Sequence, residues 1–260
     1  MTLVVHPTFS KTASERLLKL CSNGQVTATT FKRQASQAQS IVQALADGAD
    51  PNVQNRTLNE FATPLNKAAE HGHKEAVVLL LEAGAHVTWG PERAMEASVL
   101  SDEDEVYNGW PLDPLGSSMD ALSWSLAHFD PQSKIDALHL GRVVDIALRL
   151  MDAGADPYLP DPATEQPPIE SLFRYLNNDG LSTSAPVSEV TELLWRMVAM
   201  GPQATDRLRQ VAMGQWQDLE HGWASMSDFE SLGEPLRLKA RHAVLATDLP
   251  QVPYVIGPRL

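Results

Sequence analysis

The chain of 260 residues has one cysteine, Cys21, so an internal disulfide is impossible and a reducing, cytoplasmic setting is expected. No apolar run approaches the roughly 18 residues that span a bilayer, so no membrane partner is expected. The first residues lack the basic region and apolar core of a secretory signal. Basic residues are scarce, 20 against 33 acidic, and the resulting charge of −13 repels nucleic acid and anionic lipid. Catalytic signatures are missing as well. There is no Gly-x-Ser-x-Gly elbow, no phosphate loop and no paired-cysteine metal motif. Neither an enzymatic activity nor a cofactor is therefore expected.

The residues that imitate chemistry have simpler explanations. His71 and His73 flank Gly72, and two histidines at i and i+2 across a helix break do not share a face as a His-x-x-x-His pair does. Cys21 has no histidine or basic group paired with it in sequence, which fits a packed thiol better than a nucleophile. Asp50, Asp113, Asp130, Asp156 and Asp161 each precede proline. Asp before Pro starts turns and halts helices, so these carboxylates read as punctuation rather than acid–base pairs.

What is present concentrates in residues 63–87. Thr63 suits an N-cap, and Pro64 falls at the first helical position, where its missing N–H costs nothing. Leu65, Ala68 and Ala69 repeat at i, i+3 and i+4, giving one apolar face of mostly small residues. Gly72 suits a left-handed helix stop. A second helix presents Ala76, Leu79, Leu80 and Ala83, and Gly84 ends it.

This Thr-Pro-Leu-Asn-Lys-Ala-Ala stretch, the Gly-His turn and the Leu-Leu-Leu-Glu-Ala-Gly-Ala ending closely resemble an ankyrin repeat, with Asn66 where the family usually has His. The ending recurs at 41–52 as Ala-Asp-Gly-Ala-Asp-Pro-Asn and at 147–157 as Met-Asp-Ala-Gly-Ala-Asp-Pro. The first helix of the 41–52 unit is expected within Thr29–Ser36, and that of the 143–157 unit at Asp120–His128. A fourth unit is expected to open at Pro167 and run to Gly201, with a fifth or a cap beyond. Trp195 shares helical spacing with Leu194 and Val198 and is expected in the core. Gly84 and Gly154 lie 70 positions apart, about two repeat lengths, yet one clear unit occupies the interval. Either a repeat has decayed or an insertion occupies roughly Pro91–Ser118; Tyr107, Trp110, Leu112 and Leu115 favour an ordered insertion, because they are costly to leave in water.

Charge is unevenly placed. Residues 101–170 hold fourteen acidic residues against Lys134, Arg142 and Arg149, whereas residues 1–100 are balanced. A block of one sign steers partners of the other.

The expected fold is an all-α, ankyrin-like helical solenoid of four to five helix-pair repeats with short hairpin connections. Residues 1–28 form an N-terminal segment or cap, 29–216 the array with its insertion at about 91–118, and 217–260 a C-terminal cap and tail. The resemblance implies non-catalytic protein binding through hairpin tips and first helices. On this chain that places Asn55, Arg56, Asn59, Asn66, Lys67, Glu70, His71, Ser123, Trp124, His128, Asp156, Tyr158 and Arg174 at the contact surface. The charge block adds Asp102, Glu103, Asp104 and Glu105, with Tyr107 and Trp110 as aromatic anchors. The expected partner is a protein with a basic surface, and the free chain is expected to be a monomer. An inhibitor or immunity protein against a toxin fits best. A bacterial effector, an adaptor bridging proteins, and an enzyme with its site in 175–260 are the alternatives.

Overall fold

The computed structural model describes residues 9–22, 34–57, 60–88, 114–127, 132–160, 167–169, 187–200 and 238–239. Among the described residues the helices are α1 (Lys11–Cys21), α2 (Gln34–Ala46), α3 (Pro64–Glu70), α4 (Lys74–Glu82), α5 (Pro114–Ala127), α6 (Lys134–Asp152) and α7 (Val187–Val198). Between α2 and α3 a two-stranded antiparallel hairpin pairs β1 (Asn55–Thr57) with β2 (Glu60–Ala62). The chain divides into two compact units, Met1–Leu193 and Leu194–Leu260.

The first unit is an array of helix pairs. α1 pairs with α2, α3 with α4 and α5 with α6. The first helices stack as α1–α3–α5 and the second helices as α2–α4–α6. This is the expected helical solenoid, and its stacking settles the long interval between Gly84 and Gly154. α3 packs directly on α5, and α4 on α6, so no further pair stands between them. The extra length lies in 89–113, outside the described residues, and in longer helices. α5 and α6 have 14 and 19 residues where α3 and α4 have 7 and 9.

Two expected boundaries are corrected. α1 packs against α2, and Gln34–Ser36 already belongs to α2, so the first helix expected within Thr29–Ser36 does not extend to Ser36; residues 29–33 lie outside the described residues. α1, within the expected N-terminal segment, packs on both α2 and α3. Ser10 caps it by accepting from the Ala13 N–H, and Leu17 and Cys21 bury completely. The third pair opens at Pro114, not Asp120. Asp113-Pro114-Leu115 is the sequence counterpart of Thr63-Pro64-Leu65, and Leu115 and Met119 bury as Leu65 and Ala69 do.

Each pair ends in the same turn. Gly48, Gly84 and Gly154 have φ of 87°, 85° and 102°, the left-handed region that a Cβ disfavours. After each, an alanine N–H donates back to a carbonyl five residues earlier: Ala49 to Ala44, Ala85 to Leu80 and Ala155 to Leu150. The glycine N–H donates to the carbonyl three residues back in all three cases. These paired bonds satisfy the carbonyls that a helix end leaves free. The chain then turns sharply toward the next pair.

Leu17, Ile41, Leu65, Leu80, Leu115, Met119, Leu140, Ile146 and Leu150 form the fully buried core of the array. The Cys21 thiol is buried among them, and burial pushes its pKa up to about 12. It stays protonated at neutral pH, so it is a packing group and not a nucleophile. At the expected start of a fourth unit only Pro167–Ile169 are described, and the Ile169 N–H donates to the Pro157 carbonyl at 3.1 Å. In α7, Leu193, Leu194 and Met197 are buried. Trp195 is only half-buried, contrary to the core position expected for it, and Lys239 Nζ lies 6.0 Å from its ring centroid. The expected fifth unit and tail lie outside the described residues. Among the described residues, no helix is long and apolar enough to cross a membrane.

Leu80 is fully buried between the second and third pairs, and Leu80→Ala is expected to cost about 2–5 kcal/mol. Val42 on the neighbouring second helix is 42 % exposed, and Val42→Ala should stay within about 0.5 kcal/mol. Urea unfolding of the two variants against the parent measures the contrast.

Candidate protein-interaction surface

The candidate surface starts at the β1–β2 hairpin, which delivers the chain to α3. Asn55 pairs with Ala62, Arg56 with Phe61 and Thr57 with Glu60. Asn55 and Arg56 therefore lie on the ascending strand, with Asn59 outside the described residues. Behind the hairpin, Asn52 joins two successive turns. Its side-chain amide donates to the Gly84 carbonyl at 3.1 Å and accepts from the His86 N–H at 2.7 Å. Asp50 holds Asn52 in place, its carboxylate accepting the Asn52 N–H at 2.8 Å.

On α3 the expected contact residues separate by burial. Glu70 is exposed and pairs with Lys67 at 3.0 Å, one turn apart. His71 is half-buried, its ring edge-on to that of His73 at 6.1 Å. Asn66 is not on the surface, and here the expectation is corrected. It is 3 % exposed, its side-chain oxygen accepts from the Thr63 hydroxyl, and its amide donates to the Ser117 hydroxyl at 3.3 Å. A residue so enclosed is a tie between the second and third pairs. Burying it without partners would cost free energy, and the two hydroxyls remove that cost.

The turn after α6 holds Asp156 and Tyr158. Asp156 accepts the Tyr158 N–H at 2.9 Å, repeating the Asp50 arrangement. Its carboxylate thus has a structural role whether or not a partner reaches it. Ser123 and Trp124 are on α5, with side chains outside the described residues. His128, Arg174, Asp102, Glu103, Asp104, Glu105, Tyr107 and Trp110 lie outside the described residues altogether. The structure gathers Lys67 and Glu70 on α3 with His71 at its C-cap, and Asp156 with Tyr158 on one turn.

A seam of charges between α4 and α6 escaped the sequence reading. Arg142 grips Glu75 with both guanidinium nitrogens, at 3.1 and 3.2 Å. Lys74 reaches Asp145 at 3.1 Å, and Arg149 reaches the same carboxylate at 2.7 Å. Burial alone would raise the Asp145 carboxyl, but hydrogen bonds from Arg149 and Lys74 outweigh it and hold its pKa below the ordinary range. A signal was available. Aligned at their Gly-Ala ends, α4 and α6 put Glu75 and Asp145 at the same position, so the two helices alternate in charge along one line. Among the described residues no group of His, Cys, Asp and Glu could hold a metal ion.

Residues 61–89 match the family model for the ankyrin repeat. That span takes in β2, α3, α4 and the turn after it. No curated protein sequence matches the chain.

Because its folded pKa is lowered, Asp145 adds stability above the ordinary aspartate value of 3.8, and that stability is lost as pH falls through the folded value. Asp145→Asn should therefore destabilise the chain near pH 7, and the gap to the parent should close below about pH 4. Urea midpoints across pH 3–8 test this. The gap should be modest, because the carboxylate is partly exposed.

Proposed function

We propose that this ankyrin-repeat protein is a non-catalytic binding module of the cytoplasm that recognises a basic protein partner. A stacked array of helix pairs presents side chains from successive units on continuous faces, which suits protein recognition. The observation that carries the partner's chemistry is the excess of carboxylates over 101–170, fourteen against three basic residues. Two of those three, Arg142 and Arg149, already pair with Glu75 and Asp145, so little positive charge in the block is left to offset its other carboxylates. A field of one sign accelerates encounter with a basic surface and sets orientation. The finer reading is an inhibitor of a basic protein, of the kind an immunity protein is toward its toxin.

Within the block, Asp102, Glu103, Asp104 and Glu105 steer, and Tyr107 and Trp110 anchor. Large aromatics ringed by charge have the composition of an interface centre with a polar rim.

Two variants test this reading. Replacing Asp102 and Asp104 by Asn, with Glu103 and Glu105 by Gln, should slow association at low salt with a basic protein isolated by affinity purification on this chain, and leave dissociation nearly unchanged. The difference should fade as salt rises. Equal association rates for parent and variant at every salt concentration would leave these charges a role in solubility alone. Trp110→Ala should cost about 2 kcal/mol or more of binding with an unchanged melting temperature. A lowered melting temperature with intact affinity would make Trp110 a packing residue.

A further inference from the structure

α6 reaches further than its counterpart. α4 begins ten residues before its terminal glycine (Lys74 to Gly84), whereas α6 begins twenty before its own (Lys134 to Gly154). The extra turns of α6 carry His139 onto the turn between α3 and α4. There the His139 ring rests on Gly72. A Cβ added to Gly72 would lie 2.7 Å from His139 Cε1 and 3.2 Å from Nδ1, and 3.7 Å from Val143 Cγ2. The glycine has φ of 71°, so the turn depends on it for conformation as well as for space. His139 is 8 % exposed, and its Nδ1 has no hydrogen-bond partner among the described residues.

We propose that the seat of His139 on Gly72 is an acid-sensitive joint between the second and third helix pairs. A neutral imidazole fits this seat as an apolar plate. Protonation would place a charge and a second N–H donor where the described structure supplies no acceptor for Nδ1, and the contact would loosen.

The charged surroundings point the same way. Burial lowers the His139 pKa, Asp136 one turn before opposes this, and Arg142 one turn after reinforces it. On the facing turn and α4 stand His71, His73, Lys74 and Glu75; Glu75 is held by Arg142 and Lys74 by Asp145. On α3, Lys67 and Glu70 pair with each other. α5 contributes one ionisable residue, Asp120, whose side chain lies outside the described residues. For a histidine with a lowered folded pKa, the unfolded or opened chain takes up the proton first. The joint is at full strength above the ordinary value of about 6.5 and weakens as pH falls from there toward the folded value.

Hydrogen exchange of the full chain tests the proposal at pH 7.5 and 5.5, corrected for the intrinsic effect of pH. In the parent, amides of α4 and the first half of α6 should open more readily at the lower pH, by several-fold. In His139→Gln that extra opening should be largely absent, and the His139 Cε1–H in the parent should titrate below about 6.5 by NMR. Gly72→Ala, combined with His139→Ala, checks the contact itself. The double variant should recover part of the stability lost in Gly72→Ala, because removing the ring relieves the clash but not the backbone strain. The same pH response in parent and His139→Gln, a titration at or above 6.5, or no recovery in the double variant would each overturn the joint.

Discussion

A helix pair of this kind cannot bury its own apolar face, and everything else in the array follows from that constraint. On α3 small residues such as Ala68 and Ala69 are fully buried, so neighbouring backbones come close. Each pair must then borrow its core from the next, and Leu65, Leu80, Leu115 and Leu150 bury in a continuous stack. The stack needs a turn that reverses the chain within a few residues at every step. Gly48, Gly84 and Gly154 supply it with one hydrogen-bond pattern repeated three times. Stability is thereby shared among joints rather than held in one centre.

The joints also use polar groups, and this decides which of them remain for a partner. Asn66 and Ser117 close the gap between the second and third pairs, and Asn52 binds two turns together. Glu75, Arg142, Lys74, Asp145 and Arg149 form a charged line between α4 and α6. Such partly exposed pairs each add little free energy, but together they fix the register of one helix on the next. A side chain spent on a joint is lost to recognition. Asn66 is the clearest case, while Glu70, exposed on the same helix, is left available.

The sequence showed the array wherever a turn had its own signature. Thr63-Pro64-Leu65 and the three Gly-Ala endings are set by local backbone chemistry, and they were legible. α1 was not, because Phe9-Ser10-Lys11 carries the N-cap without the proline that marks α3. The start of α5 was hidden for a different reason. Asp113-Pro114-Leu115 lies in a stretch rich in turn residues, and Asp-Pro reads as a stop until its stacking partner is known. Joint residues such as Ser117, His139 and Arg142 could not be singled out, because their role depends on a neighbour tens of residues away. Arg142 and Glu75 are separated by 67 positions. The candidate surface was legible only in part, since exposure distinguishes Glu70 from Asn66 and helical spacing does not.

The array depends on direct stacking of the second pair on the third, α3 on α5 and α4 on α6. Asn66 and Ser117 meet across that boundary from positions 51 apart, and both are buried. The most direct measurement is a double-mutant cycle by urea unfolding of Asn66→Ala, Ser117→Ala and the double variant. Direct stacking predicts a coupling of about 0.5–1.5 kcal/mol, since either single change leaves a buried polar group without its partner. Additivity within about 0.3 kcal/mol would contradict the contact and, with it, the direct stacking of α3 on α5.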